Sequence, residues 1–67
     1  MITKEEFGAR LKKIKKEKNI NRKTLSELTG ISMVQITNLE KGRNNPKPTT
    51  IAKLAKALGC EFEDLYE

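Results

Sequence analysis

Apolar residues recur along the 67-residue chain at helical spacing, and Gly30, Gly42 and Gly59 separate the runs. Phe7, Leu11 and Ile14 fall at i, i+4 and i+7, a single stripe that leaves most of the lysines outside it. The start of this first helix is marked twice: Thr3 and Glu6 have capping-box spacing, and Ile2 and Phe7 stand where a hydrophobic staple joins them. The helix should fade near Lys18-Asn19, with Ile20 plugging the turn. Asn21 then caps a short second helix over Arg22 to Thr29, with Leu25 and Leu28 facing inward and Gly30 placed for the positive φ that ends a helix. Ser32 and Gln35 repeat the capping-box spacing, Ile31 and Ile36 repeat the staple, and Gly42 terminates a third helix after Lys41. Pro48 suits the first position of a fourth helix, where its missing N–H would have no partner. Ile51, Leu54, Ala55 and Leu58 follow before Gly59, and a last short turn at about Phe62 to Tyr66 completes an all-α chain.

Only Gly30, Ile31 and Ser32 separate the second and third helices. A link this short leaves no slack for a long antiparallel hairpin and forces a sharp crossing, as in a helix-turn-helix. Winding the third helix at 100° per residue puts Ile36 and Leu39 on one face and Val34, Thr37, Asn38 and Lys41 on the opposite one. The outer set carries no acid and suits a groove wall. Asn makes a bidentate contact with adenine, Val and the Thr methyl touch thymine methyls, and Lys reaches guanine or phosphate. The plainer alternative is a helix surface that happens to expose a valine, which is ordinary. Met33 lies on the flank, where a thioether either fills a core gap or reaches a base edge. Glu40, the only acid of this helix, sits on the inner flank, and Lys15 is the base expected to neutralise it across the helices.

Charge sharpens this picture. The chain has 14 Lys+Arg against 9 Asp+Glu, a formal net charge of +5. Residues 1 to 23 hold nine bases against three acids, whereas the last seven residues hold Glu61, Glu63, Asp64 and Glu67 with no base. A polyanion would therefore bind one end. A lysine run taken alone is more simply the solvated face of a helix, so the charge acquires meaning only beside the outer face of the third helix. The absence of His and the single cysteine, Cys60, remove the usual zinc sets, the Cys-His dyad and the Ser-His-Asp triad, which makes an enzyme unexpected. Cys60 itself reads as a small buried hydrophobe. No apolar run approaches the roughly 18 residues of a membrane span, and Met1 to Glu6 lacks the plan of a signal peptide. The expectation is a cytoplasmic protein comprising a single DNA-binding domain over residues 1–67.

The stretch from Leu25-Ser26-Glu27-Leu28-Thr29-Gly30-Ile31-Ser32 through Ile36, Leu39-Glu40-Lys41-Gly42 and Asn45-Pro46 to Leu54-Ala55-Lys56-Ala57-Leu58-Gly59 resembles the phage-repressor (Cro/XRE-type) helix-turn-helix family. The resemblance runs from about Phe7 to Tyr66. It implies a five-helix, lambda-repressor-like bundle that binds a palindromic DNA operator as a homodimer, with the third helix in the major groove and no cofactor. It further implies that Met33, Val34, Thr37 and Asn38 occupy base-reading positions, and that Ser32, Gln35, Arg43, Asn44 and Asn45 lie on the flanking phosphates. Where the family commonly has Gln, this chain has Arg22, so that phosphate contact would be charge-assisted and more salt-sensitive. Where it usually has Arg on the first helix, this chain has Lys15, which lacks the bidentate fork toward Glu40.

Family analogy also places dimer contacts around the last two helices, where Phe62, Leu65 and Tyr66 crowd one terminal turn. The alternative is that all three cap the small core, Leu65 first among them. A stand-alone transcriptional regulator acting as a repressor is the reading these features favour, with control by protein level or by a regulatory protein partner. The rivals are an antitoxin paired with a toxin, disfavoured by the lack of an obvious disordered tail, and a protein-interaction module that keeps the fold. The second rival gives no reason for the basic segment and the acid-free outer face to coincide.

Overall fold

The computed structural model describes residues 2–67, which form five α-helices and no strand: α1 (Lys4–Glu17), α2 (Arg22–Thr29), α3 (Met33–Glu40), α4 (Pro48–Leu58) and α5 (Phe62–Tyr66). Local chemistry sets the ends. Thr3 accepts from the Glu6 N–H at 3.1 Å while Glu6 reaches back to the Thr3 N–H at 3.2 Å, closing the capping box of α1. Asn21 and Ser32 accept from the N3 amides of α2 and α3, contacts worth about 1 kcal/mol each. Gln35 does not return the contact to Ser32, so this second box is half formed and the Gln35 amide stays exposed. Pro48 opens α4.

Packing then follows the apolar stripes. α1 lies against α3 and α5, α2 against α3 and α4, and α4 against α5. Phe7, Leu11, Leu25, Ile36, Ile51, Leu54 and Leu65 are the largest fully buried side chains, and Ile31, Leu39, Ala55 and Leu58 complete the cluster. Each large member contributes about 1.5–3 kcal/mol by leaving water. Gly8 lets α1 lie directly against the end of α3: a Cβ there would stand 2.5 Å from the Leu39 carbonyl oxygen and 2.6 Å from that of Glu40.

Two expectations are corrected here. Leu65 is 0% exposed and belongs to the monomer's core, not to an interface. Leu28, expected to face inward, is 59% exposed. The inward stripe of α2 is Arg22, Leu25, Ser26 and Thr29, at i, i+3, i+4 and i+7, so three of its four positions are polar and hydrophobicity alone points to the wrong face. These polar residues are satisfied locally: Ser26 Oγ donates to the Ile31 carbonyl at 2.5 Å, and Thr29 Oγ1 donates to the Leu25 carbonyl and accepts from the Ile31 N–H.

Candidate nucleic-acid interface

The turn between α2 and α3 positions everything that follows. Gly30 closes α2 at φ 77°, a left-handed conformation that glycine adopts without strain. Ile31 then drops into the core, and the Ser26 and Thr29 hydroxyls tie its main chain to α2. α3 therefore leaves the turn in one direction, with Ile36 and Leu39 inside and its opposite face in solvent.

That outer face holds Met33 at 45% and Val34 at 71% exposure, with Thr37 and Asn38 half-buried and Lys41 exposed beside them. Met33 thus does not fill a core gap. The Thr37 hydroxyl donates to the Met33 carbonyl at 2.8 Å, so outward it offers its methyl group and an oxygen lone pair but no proton. Asn38 Oδ1 accepts from Arg43 Nη1 at 3.2 Å. Ser32 and Gln35 are exposed at the N-terminal end of α3, where unpaired main-chain amides favour anions, and Arg43, Asn44 and Asn45 are exposed in the loop beyond its other end. The residues expected at bases thus lie on the outer side of α3 and those expected at phosphates flank it at both ends, with one exception in orientation.

The exception is Arg22. Its Nη2 donates to Glu40 Oε1 at 3.1 Å, and its Nε is buried without a hydrogen-bond partner. Lys15 Nζ binds the other Glu40 oxygen, as expected, but the site is drier than a surface pair: the Glu40 side chain is 3% exposed. Glu40 is thus a buried carboxylate whose two oxygens each accept a charge-assisted bond, one from α1 and one from α2. This three-element pairing fixes the far end of α3 and turns the helix's one acid away from its outer face. The Arg22 side chain retains 41% exposure. The second partner of Glu40 is not legible in the chain, because the approach of Arg22 depends on how α2 packs against α3.

Among the described residues no cluster of His, Cys, Asp and Glu could hold a metal ion. Burial, with help from the Asp64 carboxylate, pushes the Cys60 thiol above its ordinary value, which disfavours the reactive thiolate. A groove of about 520 Å³ runs between α1 and the α4–α5 junction and includes no residue of α2 or α3. None of the described helices is long and apolar enough to cross a membrane.

A short capped turn that seats one helix on a second and leaves its outer face bare defines a helix-turn-helix protein. A helix-turn-helix family model matches residues 11–65, and the chain belongs to that family, of the Cro/XRE type. It is 37% identical over 62 residues to the HTH-type transcriptional repressor RghR of Bacillus subtilis, and 31% identical over 58 residues to the HTH-type transcriptional regulator y4dJ of Sinorhizobium fredii. These alignments cover 46% of RghR and 75% of y4dJ, so the chain spans about half the length of the first of these relatives. Among solved structures, the restriction-modification controller protein C.AhdI from Aeromonas hydrophila superposes with a TM-score of 0.89 at 32% identity, over 94% of this chain and 96% of that one.

Proposed function

We propose that the protein binds double-stranded DNA sequence-specifically, as a homodimer on a palindromic operator, and represses transcription there. The observation that carries this reading is the outer face of α3: Met33, Val34, Thr37 and Asn38 stand free of acid, because Glu40 is buried and doubly paired on the opposite side. In the major groove these residues would read base edges, while Ser32, Gln35, Lys41, Arg43, Asn44 and Asn45, with Arg22, hold the flanking phosphates. Base reading by one such helix spans few pairs, which favours twofold pairing on a palindrome. Phe62 and Tyr66, half-buried at the protein surface and packed edge-to-face 6.0 Å apart, are the proposed dimer contacts now that Leu65 is assigned to the core. The repressor name of RghR supports the sign of the regulation, and the match to the controller C.AhdI supports a regulatory role for this fold.

Asn38→Ala is expected to weaken binding to the preferred site by about 1–3 kcal/mol and to leave non-specific binding nearly unchanged, measured by titration of the preferred and scrambled duplexes. Equal loss on both duplexes would contradict base reading by Asn38. Arg22→Gln should lower the slope of log affinity against log salt by about one on every sequence. An unchanged slope would take Arg22 off the phosphates and leave it only the pairing with Glu40.

A further inference from the structure

We infer that Arg43, in the loop after α3, is a positioning residue for base reading: it fixes which end of the Asn38 amide faces the DNA. The inference rests on the proposed DNA-binding role and names a determinant of specificity within it. A carboxamide has two unlike ends, a carbonyl that accepts and an NH2 that donates, and an exposed one is free to turn over and present either. Arg43 removes that freedom. Its guanidinium only donates, and Nη1 meets Asn38 Oδ1 at 3.2 Å, so the carbonyl end must face the loop and Nδ2 must face away from it.

The main chain brings Arg43 to this place independently of its side chain. Gly42 follows α3 at φ 70°, its N–H donating to the Leu39 carbonyl at 3.1 Å, and the Arg43 N–H then donates to the Asn38 carbonyl at 3.0 Å. This is the paired closure of a Schellman turn, which needs the left-handed residue that glycine supplies. Arg43 is thus tied to Asn38 twice, once by backbone and once by side chain. Among the described residues it pairs with no carboxylate, so its outer edge stays available to a phosphate while its inner edge orients the amide. The Nδ2 hydrogens are then aimed at a base-edge acceptor, such as a purine N7, guanine O6 or thymine O4, at the base pair beneath Asn38.

The test measures affinities of the full chain for its preferred duplex and for every single-base-pair variant of it, with wild type, Arg43→Ala, Asn38→Ala and the double variant. Arg43 is exposed and its backbone bond survives truncation, so Arg43→Ala should keep the wild-type melting temperature. The expected result is that Arg43→Ala relaxes discrimination by about three- to tenfold at the same base pair that Asn38→Ala relaxes. In the Asn38→Ala background, removing Arg43 should weaken all duplexes by one common factor and change no preference. Uniform weakening by Arg43→Ala in both backgrounds would overturn the positioning role and leave Arg43 a phosphate contact. A wild type with no preferred duplex would overturn the DNA-reading conclusion itself, and this one with it.

Discussion

Gly8→Ala is expected to destabilise the protein by about 2 kcal/mol or more. The new Cβ would stand 2.5 and 2.6 Å from two main-chain oxygens, those of Leu39 and Glu40, and neither can rotate aside as a side chain could. Relief requires α1 and α3 to move apart. That movement would loosen the packing of α1 on α3, and it would lengthen the pairing of Lys15 with Glu40. Alanine brings a gain of up to about 1 kcal/mol in helix propensity, so the sign of the result decides between propensity and packing. Overpacking typically costs about 1–3 kcal/mol and more where backbone is struck, and a chain of this length has only about 3–10 kcal/mol in total. A shift of the urea midpoint to lower concentration with unchanged slope is the expected reading. A neutral or stabilising outcome would mean that α3 is not seated on α1 at Gly8.

Leu65→Ala should cost about 2–5 kcal/mol, because it empties a fully enclosed position where α5 closes over the core. The outcome also distinguishes two roles for the same residue. A core residue lowers the unfolding free energy of the monomer, so the loss is the same at every protein concentration. An interface residue acts through the dimer, and its loss would shrink as the protein is diluted below its dissociation constant. Urea unfolding at two concentrations a hundredfold apart separates these cases, and the burial of Leu65 predicts the concentration-independent one.

What the sequence alone reveals is mostly what is encoded within one turn of helix. The helix starts at Thr3, Asn21 and Ser32 and the ends at Gly30, Gly42 and Gly59 are local events, settled by a side chain three residues from an amide or by one left-handed residue. The outer face of α3 was legible for the same reason: helical winding alone separates Val34, Thr37 and Asn38 from Ile36 and Leu39. Tertiary facts were harder to read. Gly8 looks like any helical glycine until α3 is laid across it. Leu28 lies outside the inward face to which hydrophobicity assigns it, because the buried stripe is shared by Ser26 and Thr29, polar residues whose hydrogen bonds lie in the turn. Lys15 was a reasonable partner for Glu40, whereas the approach of Arg22 depends on how α2 meets α3. The Arg43–Asn38 contact lies between these extremes, since Gly42 announces the reversal that creates it but not the side-chain geometry.

The central claim, that the outer face of α3 reads DNA, is tested most directly by selecting bound duplexes from a random pool at physiological salt and measuring the stoichiometry on the winner. The account predicts a short palindrome occupied by two chains. Failure to enrich any sequence would contradict it.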